Sequence, residues 1–71
     1  MRIATINFSN HIQTESLRSI YLMAEIDSAI QEFACCGNWN EVYLAQTESY
    51  YFALKYNAKD CSLFVSFDWE N

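Results

Sequence analysis

The sequence predicts an α+β domain, a two-layer β-α-β-β-β arrangement with one long helix packed on a mostly antiparallel four-stranded sheet. Three observations carry this. Residues 12–36 contain neither proline nor glycine and repeat apolar side chains at helical spacing. Three later runs alternate apolar and polar residues with the period of a strand. Short polar segments separate those runs at hairpin lengths. The chain has 71 residues, no low-complexity run and no internal repeat, so residues 1–71 form a single domain.

The first element is the run "RIATINF". Ala4, Ile6 and Phe8 share one face and Ile3 and Thr5 the other. Apolar residues on both faces suggest a strand covered on more than one side. "SNH" ends it. A helix then spans about residues 12–36. Asn10 is a plausible N-cap with Gln13 as its capping-box partner, and Thr14 is a later alternative. Gly37, the only glycine, is the natural residue to end the helix in the left-handed conformation.

The apolar band of this helix is wide. Leu17, Ile20, Met23, Ala24, Ile26, Ile30, Phe33 and Ala34 cover well over half the circumference, and Leu22 and Ala29 widen the band further. The polar stripe of Arg18, Glu25 and Glu32 is narrow, flanked by Ser28 and Thr14. A surface helix ordinarily shows an apolar stripe of about 100°. This one is expected to need cover beyond its own sheet, with Leu22 among its outward residues.

Three strands follow. "EVYLAQ" places Val42 and Leu44 on one face. "SYYFALKY" places Tyr50, Phe52, Leu54 and Tyr56 on one face and Tyr51 and Lys55 on the other. "SLFVSFDW" places Leu63, Val65, Phe67 and Trp69 on one face and Phe64, Ser66 and Asp68 on the other. Residues 47–49 and 57–60 supply the turns.

No motif points to catalysis or to a cofactor. A single glycine leaves no phosphate-cradling loop, and neither a nucleophile elbow nor a P-loop is present. Cys35 and Cys36 are adjacent, so on a helix they point about 100° apart and aim poorly at one ion. Cys61 and His11 are the other soft ligands, and they follow no zinc spacing. The cysteines read as inert, with at least one of the adjacent pair buried. The expectation is a protein that is not an enzyme and holds neither cofactor nor metal.

Charge and aromatic content say more. Nine acidic residues against four basic ones give a net charge of −5. Such a field repels phosphate and favours a basic partner. An aromatic sheet face would suit base stacking, but nucleic-acid platforms interleave lysine and arginine, and here only Lys55 and Lys59 are nearby. Direct nucleic-acid binding is therefore not expected. The start of the chain lacks a long apolar segment and a cleavage site, and no run reaches the roughly 18 apolar residues of a spanning helix. A cytoplasmic protein that binds no membrane is expected.

Two sets of residues are candidates for partner binding. Glu25, Glu32, Asp68 and Glu70 form the first; Asp68 and Glu70 would alternate on a strand, roughly 6.7 Å apart, and a spaced row of carboxylates can imitate a phosphate backbone. Trp39, Tyr43 and Tyr51 form the second, because tryptophan and tyrosine dominate binding hot spots. The functional expectation is a small acidic inhibitor or adaptor that binds a protein with a basic surface, with a homodimer as a further expected assembly. Phage and plasmid anti-restriction and anti-CRISPR proteins are similar in size, charge and lack of motifs; no residue pattern carries that likeness. The alternative is a structural homodimer or small subunit whose apolar helix face mediates self-association.

Overall fold

The computed structural model describes residues 2–15 and 19–70. Strand β1 (Thr5–Phe8) leads into a short helix α1 (Asn10–Thr14), then the long helix α2 (Ile20–Cys36). Strands β2 (Tyr43–Gln46), β3 (Tyr51–Asn57) and β4 (Ser62–Phe67) follow, and a single 3₁₀ turn covers Asp68–Glu70. The sheet order is β1-β4-β3-β2. Hairpins make β2–β3 and β3–β4 antiparallel, whereas β1 lies parallel to β4. The helical connection therefore runs from one edge strand to the other, across one face of the sheet. The expected α+β architecture is the one observed.

The helical segment is two helices where one was expected from residue 12 to residue 36. Ser9, not Asn10, caps α1: its Oγ accepts from Ile12 N–H at 3.3 Å. Gln13 reaches back to the Phe8 carbonyl instead of serving a capping box at Asn10. Thr14 turns its hydroxyl onto the Asn10 and His11 carbonyls, in the last turn of α1 rather than at a start. A serine or threonine bonded this way competes with helix propagation. Ser19 then restarts the helix, its Oγ accepting from Leu22 N–H at 3.2 Å. The expectations for Leu17 and Arg18 lie outside the described residues.

The buried stripe of α2 is Leu22, Ile26, Ala29 and Phe33, spaced four, three and four apart. Met23 and Ile30 pack partly at its flanks. Ile20 and Ala24, counted in the wide band, are exposed, as are Tyr21 and Ala34. The stripe is thus of ordinary width and faces the chain's own sheet. Leu22 is fully buried at its centre, so it is a core residue and not an outward one.

The core between the layers adds Ile12 from α1, Ala45 from β2, Phe52 and Leu54 from β3, and Leu63, Val65 and Phe67 from β4. Rings close both of its ends. At one end Phe33 meets Tyr43 and Trp39, with centroids 5.2 and 6.2 Å away, and Trp39 meets Tyr56 edge-on. At the other, Tyr50, Phe52 and Phe67 lie within 5.8 Å of one another. Trp39 is placed by the end of α2. Gly37 there has φ −80° and ψ 154°, an extended conformation and not the left-handed one expected. Glycine is needed for space: a Cβ at this position would collide with the Phe33 ring.

Two further expectations change. β1 is an edge strand with Thr5 and Asn7 exposed, so one of its faces is open. β4 stops at Phe67, where the Glu70 carboxylate accepts the Phe67 N–H at 3.2 Å and curls the chain. Trp69 still stacks on Phe67, at 4.4 Å and 9°. Asp68 and Glu70, however, do not alternate along a strand.

Candidate functional site

The seven expected partner-binding residues fall into separate places. Glu25 and Glu32 stand on α2, two turns apart, and line one groove between that helix and the β2–β3 turn. The other lining residues are Ala24, Ser28, Gln46, Thr47 and Glu48. The turn is held by Thr47, which donates N–H to the Tyr50 carbonyl and accepts the Tyr50 N–H on its hydroxyl. Glu48 is thereby presented to the same groove as the two helix glutamates. No basic side chain lines the groove. Glu48 was not among the expected residues; its approach to α2 is a tertiary event with no local signal.

Tyr43 and Trp39 are half-buried against Phe33, but Trp39 lines a separate groove with Tyr56, Lys55 and Lys59. Burial, with the Glu32 carboxylate hydrogen-bonded to the phenol, pushes the Tyr43 hydroxyl above its ordinary pKa. Trp39 packs as a ring under the helix end.

Tyr51 and Asp68 lie together on the opposite, helix-free face of the sheet. Glu70 is tied down within the molecule. Its second carboxylate oxygen, Oε1, is buried and lies 2.6 Å from His11 Nδ1. That contact links α1 to the 3₁₀ turn, so Glu70 does not act as a free surface carboxylate.

Beside Tyr51, which is 56% exposed, the helix-free face carries three side chains that sequence reasoning did not single out: Val42, Leu44 and Phe64, 44%, 61% and 43% exposed. Leu44 pairs with Ala53, and Phe64 pairs with Lys55. The signal was the alternation itself: Val42 and Leu44 are out of phase with the inward Tyr43 and Ala45.

The soft ligands do not assemble. Cys35 and Cys36 are both exposed, which overturns the expectation that one is buried. The helix places them past the last buried turn, beyond the reach of the sheet. The Cys35 thiol beside it holds the Cys36 thiol above its ordinary value, the opposite of an activated nucleophile. Among the described residues no group of three or more histidine, cysteine or carboxylate side chains could hold a metal. No helix among them is long and apolar enough to cross a membrane. No family model, curated protein or solved structure matches the chain.

Proposed function

We propose that the protein works by binding another protein, as a small inhibitor or adaptor whose partner carries a basic surface. The observation that carries this reading is the groove in which Glu25, Glu32 and Glu48 converge with no basic side chain among its lining. α2 is held by its buried stripe, so the carboxylates stand on a rigid support. Glu25 and Glu32 are seven residues apart, a rise of roughly 10.5 Å along the helix.

The finer reading is an inhibitor of the anti-restriction or anti-CRISPR type, encoded by a phage or plasmid. It would occupy the nucleic-acid-binding groove of a defence protein. Size, acidity and the absence of catalytic motifs support it.

The test is to capture partners from a host lysate with the wild type and with the triple variant Glu25→Lys, Glu32→Lys, Glu48→Lys. A true partner is lost with the triple variant and is displaced from the wild type by DNA or RNA. Its association rate falls steeply with salt, because exposed charges are screened beyond about 8 Å at physiological ionic strength. An association rate that ignores both salt and the reversals contradicts the proposal.

A further inference from the structure

The helix-free face of the sheet is apolar at its centre and oppositely charged at its two ends. We propose that two copies of the chain pack these faces together about a two-fold axis running across the strands. The geometry follows from the register. Leu44, Ala53 and Ser66 form the middle row. Lys55, paired with Phe64, lies toward one end, and Lys59 follows in the β3–β4 turn. Tyr51 lies toward the other end, beside Asp68 and near the turn that carries Glu48.

Tyr51 and Lys55 are equidistant from Ala53, each about 7 Å along the strand. A two-fold through the middle row exchanges the ends. Lys55 of each copy then comes over Tyr51 and Asp68 of the other, which gives two equivalent ion pairs. Sheets packed face to face stand about 10 Å apart, and Leu44, Tyr51 and Phe64 from both copies fill that gap. Ala53 and Ser66 are already buried beneath their own neighbours, so the contact is made by Leu44, Tyr51 and Phe64 of each copy.

Charge selects a second copy over a strongly basic or acidic partner. The face itself carries one lysine and one aspartate, so a partner of single sign would meet repulsion at one end. Asp60, in the turn with Lys59 and held by the Ser62 N–H and hydroxyl, offsets that lysine, so Lys55 sets the sign of this end. Much of the negative charge lies on the helix side, at Glu15, Glu25, Asp27 and Glu32. In the dimer those surfaces point outward, separated by two sheets and more than a screening length of ~8 Å. The groove at Glu25, Glu32 and Glu48 adjoins the dimer face at Gln46, which lines both, and substitutions at Leu44, Lys55 and Asp68 leave its three carboxylates in place, so the two proposals are tested separately.

The experiment is sedimentation equilibrium on the full chain for the wild type, Leu44→Asp, Lys55→Glu, Asp68→Lys, and the Lys55→Glu/Asp68→Lys double variant. All three positions are exposed, and circular dichroism checks that each variant is folded. Leu44→Asp and each single reversal are expected to raise the dimer dissociation constant roughly tenfold or more. The double reversal is expected to return it to within about threefold of the wild type. A wild type still monomeric on the order of 0.5 mM overturns the proposal. So does a dimer indifferent to Leu44→Asp, or single reversals that the double variant does not rescue.

Discussion

Gly37 shows how one residue can be read correctly for place and wrongly for cause. It ends α2, as expected, but with φ −80° any residue could adopt its backbone. What excludes a side chain is the Phe33 ring against its Cα. Gly37→Ala is therefore expected to destabilise by overpacking, by about 1–3 kcal/mol, with little change in helix content. Chemical denaturation measures it; a neutral or stabilising result would show that the ring moves aside freely. The cysteines make a complementary case. Residue type suggested burial, but position beyond the last packed turn decides exposure, and Cys→Ser at Cys35 or Cys36 leaves no desolvated hydroxyl. Glu70 differs again. Its sequence neighbours implied a strand, and only its contacts with Phe67 N–H and His11 reveal a structural carboxylate.

At the scale of elements, strand alternation located β3 and β4 well because their inward residues are large and contiguous: Phe52 and Leu54, and Leu63, Val65 and Phe67. The division of the helix was harder to see. Apolar periodicity is continuous through it, and the break is made by side-chain capping at Ser19 and by Thr14 bonding back onto its own turn. Counting apolar residues also overstated what α2 must bury, since Ile20, Ala24 and Ala34 remain exposed, as apolar surface residues commonly do. This separates two substitutions on α2. Ser19→Ala is expected to cost about 1 kcal/mol through loss of the cap. Leu22→Glu places an unpaired charge in the fully buried stripe and is expected to unfold the domain rather than weaken an association. Urea unfolding followed by circular dichroism distinguishes them. A folded Leu22→Glu protein would contradict the position assigned to that side chain.

For the whole molecule, one helical layer covers one face of the sheet and leaves Leu44, Tyr51 and Phe64 exposed on the other. The small size makes burial incomplete, about 60% of the unfolded surface at this length. Excess apolar surface was therefore foreseeable from composition, but its location was not. It was expected on α2 and is divided between that helix, at Ile20 and Tyr21, and the helix-free face of the sheet, at Val42, Leu44, Tyr51 and Phe64. The acidic groove was half visible. Glu25 and Glu32 share a helix face by spacing alone, whereas Glu48 joins them only once β2 and β3 pack under α2. The central claim is that this groove receives a basic protein. The most direct measurement is a titration of isotope-labelled protein with a nona-arginine peptide, followed by amide chemical shifts at low and high salt. The account predicts shifts concentrated at residues 25–32 and 46–48, weakened by salt and removed by the Glu25→Lys, Glu32→Lys, Glu48→Lys variant. Shifts spread over Glu15, Asp60 and Asp68 as much as over the groove, or unchanged in the triple variant, would contradict it.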